Sequence, residues 1–158
     1  MSAREQGLVD DMKQRFGSKV TEALVQRPRR VFMTIGSDTL TEAMWYVAQK
    51  GYRHVSTMTG LDLGQSLCVI YHLVEGDVVL SLKTVVPKSD PKLSTIVGII
   101  PGAELYEREV HDMFGVIFEG HPDLSPLILP EKWPGGIYPL RKEWKVEAIK
   151  AELDKAQG

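Results

Sequence analysis

At 158 residues the chain has the size at which one hydrophobic core is expected, and two full domains would be crowded. A composition of 43% hydrophobic and 25% charged residues excludes a disordered or collagen-like chain, and a formal net charge of −2 gives no overall attraction to nucleic acid or anionic lipid. The longest stretch free of Asp, Glu, Lys and Arg, Leu63 to Val74, falls well short of the roughly 20 apolar residues that cross a bilayer.

Met1-Ser2-Ala3-Arg4-Glu5 places an acid where a signal peptide would begin its apolar run, so the chain is expected to stay on the cytoplasmic side. Leu8, Met12 and Phe16 recur at helical spacing and Gly17 follows as a stop, which predicts a short first helix. Arg27-Pro28-Arg29-Arg30 reads as an exposed turn, too lightly basic to mark nucleic-acid binding. It leads into a strand in which Val31, Met33 and Ile35 alternate with Phe32 and Thr34. Thr39 followed by Glu42 predicts a capping box, Leu40, Met44 and Val47 an apolar stripe, and Gly51 a left-handed stop. Three further strands are predicted at His54 to Thr59, Leu67 to Leu73 and Val78 to Val86, the last two forming an antiparallel hairpin across Glu75-Gly76-Asp77. Pro87 and Pro91 end the sheet, and an apolar run from Ser94 to Ile100 leads through Pro101-Gly102 into a helix ending at Gly115.

Beyond that helix Pro122, Pro126, Pro130 and Pro134 recur every fourth residue, with Pro139 soon after, a spacing that no regular helix or central strand tolerates. The same stretch carries Phe118, Leu124, Leu127, Ile128, Leu129, Trp133, Ile137, Tyr138, Leu140 and Trp144, too apolar for a solvated linker. It must wrap its own domain or lie on a partner, and the partner is the expectation. Val146, Ile149, Leu153 and Ala156 then repeat along a short terminal helix. The fold class that follows is α+β: a small, mostly antiparallel sheet packed with helices over residues 1–116, then an extended proline-rich arm and short helix over residues 117–158, as one structural unit.

The helix from Ala103 to Gly115 concentrates the candidate chemistry. Ala103, Tyr106, Val110, Met113 and Phe114 share one face, and Glu104, Arg108 and Asp112 fall at i, i+4 and i+8 opposite, as an ion triple. Glu107 and Glu109 flank the apolar stripe, where a carboxylate needs partners. Glu107 and His111 stand four apart and could touch one ion, the basis of a free-standing metalloenzyme reading. The position three before His111 is Arg108, however, which cannot ligate, and neither a second Glu-His pair nor His-Glu-x-x-His is present. His54 and His72 stand isolated in strands, and Gly60-Leu61-Asp62-Leu63-Gly64 lacks the helix that a phosphate loop requires. The single cysteine, Cys68, cannot supply the four thiolates that an iron–sulfur cluster usually takes. No catalytic, cofactor-binding or metal-binding residue is assigned to the chain.

Three segments carry a resemblance: Glu107-Arg108-Glu109-Val110-His111-Asp112-Met113-Phe114-Gly115-Val116, Phe118-Glu119-Gly120-His121-Pro122-Asp123-Leu124 and Tyr138-Pro139-Leu140-Arg141-Lys142. Together they resemble the signature of the 30-kilodalton-type subunit, or C subunit, of proton-pumping NADH:quinone oxidoreductase (complex I), a family shared with membrane-bound, energy-converting nickel–iron hydrogenases. Ser125-Pro126 stand where the respiratory version has paired basic residues, and Ile137-Tyr138 where it has Gly-His. Leu129-Pro130-Glu131-Lys132-Trp133-Pro134 is more similar to the hydrogenase branch.

The resemblance implies a cofactor-free structural subunit of the peripheral arm, on the cytoplasmic face of the membrane, in a group 4 hydrogenase-type complex. The alternative is the C subunit of an NADH-, F420H2- or ferredoxin:quinone-type oxidoreductase. The implied partners are a large nickel–iron-type or quinone-binding subunit, an iron–sulfur small subunit and a ferredoxin-like iron–sulfur subunit, with the nickel–iron site and clusters on these partners. The implied interface and structural residues are Glu107, Arg108, Glu109, Asp112, Phe114, Gly115, His121, Pro122, Asp123, Trp133, Pro139, Leu140, Arg141 and Lys142.

Overall fold

The computed structural model describes residues 3–157; Met1, Ser2 and Gly158 lie outside the described residues, as do the side chains of Ala156 and Gln157, so Ala156 of the expected terminal stripe is not among them. Helix α1 runs over Ala3–Phe16 and turns Leu8, Val9, Met12 and Phe16 inward, with Gly17 at positive φ ending it. A hairpin follows, β1 Val20–Arg27 and β2 Arg30–Ile35, paired antiparallel. Strand β1 is not anticipated from sequence, because its burial is slight and its residues show no clean alternation. The Arg27–Arg30 turn forms as expected, with Arg29 at φ 64. The Arg29 N–H donates to the Glu5 carboxylate at 2.7 Å, and its guanidinium pairs with Asp77 at 2.9 Å.

Helix α2, Leu40–Gln49, buries Leu40, Ala43, Met44, Val47 and Ala48. The expected capping box does not form. A 3₁₀ turn over Ser37–Thr39 precedes the helix, the Thr39 hydroxyl donates to Asp38 at 2.9 Å, and Glu42 reaches outward to Arg15. The local hydroxyl–carboxylate bond competes with the cap and wins. Strands β3 His54–Asp62, β4 Ser66–Glu75 and β5 Val78–Pro87 form an antiparallel meander. Glu75 pairs with Val78, so the β4–β5 connection is two residues, Gly76-Asp77, rather than three.

The five strands order as β1-β2-β5-β4-β3, antiparallel except where β2 runs parallel to β5. Register places Val31, Met33, Leu67, Val69, Tyr71, Leu73, Leu80 and Leu82 on one face, and all eight join the buried cluster that includes the inward residues of α1 and α2. Cys68 and Ile70, on the other face, are buried but stand outside that cluster. This is period-two patterning with one face closed by helices.

Two short strands not anticipated from sequence, β6 Lys92–Ser94 and β7 Ile117–Glu119, pair in parallel and bracket helix α3, Glu104–Phe114. Each is three residues, below the length at which alternation can be read. Helix α3 approaches β3 through Gly60, where an added Cβ would lie 2.4 Å from the Phe114 ring. It ends on Gly115 at φ 72, where an added Cβ would lie 2.5 Å from the Tyr138 ring, so that the ring can pack there only on a glycine. From Gly120 to Lys145 the chain forms neither helix nor strand, and α4, Val146–Gln157, closes it.

Candidate partner-docking site on helix α3 and the arm

The amphipathic pattern of α3 does not produce the ion triple expected of Glu104, Arg108 and Asp112. Asp112 is 5% exposed, and one carboxylate oxygen accepts the successive backbone N–H groups of Leu127, Ile128 and Leu129 at 2.9, 2.8 and 3.1 Å. Three converging N–H groups form a concavity that suits a negative charge, as at a helix N-terminus. Arg108 donates to the Ser125 carbonyl and hydroxyl and to the Pro126 carbonyl, all at 3.1 Å. The two charges that spacing pairs within the helix instead anchor one loop of the arm.

Glu107, also expected at the rim of the helix, is fully buried. Its carboxylate accepts from the Thr95 hydroxyl at 2.5 Å and the Ile96 N–H at 2.9 Å. Burial pushes its pKa up against the opposing pull of those two donors. The Tyr71 hydroxyl, fully buried and electrostatically coupled to Glu107, has no hydrogen-bond partner among the described residues. His121 lies 3.9 Å from Glu107 with no side-chain exposure. Its Nδ1 accepts the Asp123 N–H at 3.0 Å, which assigns the proton to Nε2, the donor to the Glu104 carbonyl at 3.1 Å. His121 therefore belongs to the interior, staking β7 and the start of the arm to α3.

The other expected residues divide between holding the arm and facing solvent. Phe114 packs on Gly60, and its carbonyl accepts Arg141 Nε at 2.6 Å while the Arg141 guanidinium stacks over Tyr138 at 4.5 Å. The Leu140 N–H donates to the Met113 carbonyl at 3.1 Å, but the Leu140 side chain is 56% exposed. Trp133 donates to the Ile137 carbonyl at 2.8 Å, Pro139 is half-buried, and Asp123 closes a local turn onto the Ser125 N–H. Glu109, Pro122 and Lys142 are exposed. The Lys142 backbone is nonetheless held, by a residue that the sequence pattern does not single out.

That residue is Asp62, at the end of β3. Its carboxylate accepts from the Lys142 N–H at 2.8 Å, the Gly64 N–H at 2.8 Å and the Lys88 ammonium at 2.7 Å. Lys88 also bridges to Glu143 at 2.9 Å. No local signal predicts the contact, because Asp62 and Lys142 are 80 positions apart. Burial alone would raise the Asp62 pKa, but the Lys88 hydrogen bond and the two N–H donors together hold it down at about 2. A depressed carboxylate pKa gives stability that is present above the unfolded value, about 3.9, and lost as pH falls through about 2. Acidification across that window is therefore expected to release the arm at Lys142. Protection of the Lys142 amide, relative to its intrinsic exchange rate at each pH, should fall there before the sheet opens, and Asp62→Asn should show the lower protection already at neutral pH.

Glu107 and His111, the pair weighed as metal ligands, bond elsewhere: His111 Nδ1 donates to the Val116 carbonyl at 2.8 Å, while Glu107 holds Thr95 and Ile96. Among the described residues no three His, Cys, Asp or Glu side chains gather as a metal site, and no helix is long and apolar enough to cross a membrane.

The chain as a whole is similar to known proteins. Residues 33–150 match the family model described as respiratory-chain NADH dehydrogenase, 30 Kd subunit. The chain is 31% identical to the C subunit of the F(420)H(2) dehydrogenase of Methanosarcina mazei, over 87% of this chain and 90% of that one. It is 32% identical to the C subunit of the NADH-quinone oxidoreductase of Chloroherpeton thalassium, over 87% of this chain but 60% of the relative. Among solved structures it superposes on a chain of the membrane-bound sulfane sulfur reductase, an archaeal respiratory membrane complex, with a TM-score of 0.80 and 24% identity over 96% of this chain and 92% of that one. The trypsin-resistant fragment (1–134) of Nqo5 matches with a TM-score of 0.63 and 27% identity, over 74% of this chain and 98% of the fragment.

Proposed function

The chain belongs to the family of the respiratory-chain NADH dehydrogenase 30 Kd subunit, the C subunit of complex I-like oxidoreductases, and from that premise we propose that it is a cofactor-free structural subunit of a membrane-bound, ion-translocating complex of the hydrogenase type. It sits in the peripheral arm on the cytoplasmic face and holds the large catalytic subunit and the iron–sulfur subunits in register. Register matters because a displacement of about 1 Å near the chemistry can lower a rate about a hundredfold.

The observation that carries the proposal is the Asp112 anchor. A buried carboxylate that gathers three N–H groups fixes the arm backbone while Leu127 and Ile128 remain 37% and 59% exposed. Backbone held rigid under exposed apolar side chains is a preorganised surface, which lowers the ordering cost of binding. The hydrogenase-type branch is supported by the segment Leu129 to Pro134, whose likeness to that branch sets this arm apart from the respiratory version. The match to the F(420)H(2) dehydrogenase relative, along nearly the whole of both chains, favours a second reading, the corresponding subunit of a quinone-branch or F420H2-linked complex.

Purification of the tagged chain from its own membranes in mild detergent tests both. The expected result is a stoichiometric large subunit and iron–sulfur subunits. Two Cys-x-x-Cys nickel-binding motifs in that large subunit select the hydrogenase reading, and their absence selects the second. A chain recovered alone, or with stoichiometric metal of its own, overturns both.

A further inference from the structure

Between the turn Pro101–Ala103, the outer side of α3 and the anchored arm loop lies an open groove of about 550 Å³. Its apolar lining is contributed by Leu105, Tyr106 and Leu127, with Leu105 55% and Leu127 37% exposed. A helical leucine with more than half its surface in water, beside a second exposed leucine, forms a patch. Tyr106 is fixed by donating its hydroxyl to the Ser56 carbonyl at 3.0 Å, and Leu127 by the Asp112 bond to its N–H. The groove is thus shaped before anything enters it.

Its charge is one-sided. Glu104 and Glu109 line it, and neither has an ion-pair partner among the described residues. The helix's own cation, Arg108, is bound to Ser125 and Pro126. The two acids stand five residues apart, about 7.5 Å along the axis. An apolar centre with charge at its margin is the layout of a protein interface, where the charges set partner choice and encounter rate.

We infer that this groove receives a segment of the large partner subunit in which one apolar side chain is bracketed by Lys or Arg residues. The apolar residue fills the space between Leu105, Tyr106 and Leu127, and the two cations face Glu104 and Glu109. The inference rests on the proposed role in docking and names the chemistry of the segment docked.

The test uses the assembled complex, purified from its own membranes, with a photo-crosslinking amino acid at Leu105. Irradiation should join the chain to the large subunit, and mass spectrometry should locate the adduct at an apolar residue flanked by Lys or Arg. Glu104→Lys with Glu109→Lys should lower recovery of the large subunit about tenfold at low salt. Glu104→Gln with Glu109→Gln, which leaves the first turn of α3 without a new positive charge, should lower it less and flatten its salt dependence. A complex that assembles while the adduct falls on a second copy of this chain, on lipid or on an acidic segment overturns the inference. So does one that forms no adduct, or that keeps full recovery in the charge-reversed variant. In those cases the docking role itself stands, whereas a wild-type chain that brings down no large subunit fails the role.

Discussion

Asp112→Asn should detach the arm loop without unfolding the sheet. The substitution keeps the shape but replaces a full negative charge, held against three backbone N–H groups, with a neutral amide oxygen. Hydrogen bonds to charged groups are each worth about 1.5–3 kcal/mol, and they do not add when they share one acceptor. A loss of about 2–4 kcal/mol, confined to residues 125–130, is the expectation. Hydrogen exchange at Leu127, Ile128 and Leu129 should rise by about two orders of magnitude, because about 1.4 kcal/mol corresponds to a factor of ten. The β4 and β5 amides should keep their protection. In the cell the variant should accumulate unassembled.

The second large effect concerns Glu107, where the two obvious substitutions should diverge. Glu107→Ala removes a fully buried side chain and leaves the Ile96 N–H without its acceptor, which is expected to cost about 2–4 kcal/mol. Glu107→Gln keeps an acceptor for Ile96 and removes the burden of a buried charge. Because burial raises the Glu107 pKa above its unfolded value, the folded chain holds the proton more tightly than the unfolded one. The associated stability is fully present below the unfolded value of about 4.3 and is lost as pH rises through the folded pKa. A melting series from about pH 4.5 to about pH 8 should therefore show wild type falling relative to Glu107→Gln. The acid-side loss at Asp62 occupies a separate window below about pH 4 and does not overlap it.

How much of this was legible in the residues depended on the range of the contact. The meander could be read because Leu67 to Leu73 and Val78 to Val86 carry long apolar runs around a tight turn, and pairing between neighbours in sequence follows from such runs. Helices α1 and α2 could be read from their spacing and their glycine stops, although the cap of α2 was not, since Asp38 offered Thr39 a nearer partner. Strands β6 and β7 are too short for any pattern to declare them.

At the candidate site, α3 and its acids stood out, but helical-wheel reasoning assigned their partners within the helix. The real partners of Asp112 are 15 to 17 residues on, in a proline-spaced segment whose path no periodicity describes. The wheel also cannot tell a partly buried flank from one closed over by the segment before the helix, and so Glu107, held by Thr95 and Ile96, proved fully interior. Asp62 was invisible for the same reason: an aspartate two positions before a glycine reads as a turn residue until the chain from the far end arrives on it.

On the proposed account, α3 and the arm build an assembly surface and perform no step of the reaction. The most direct test is to purify the membrane complex from cells carrying Asp112→Asn, and to measure the amount of every subunit and the turnover per assembled complex on the same sample. Fewer complexes, each turning over at the wild-type rate, are the expected result. Complexes formed in wild-type amount, with every subunit present and turnover abolished, would contradict it.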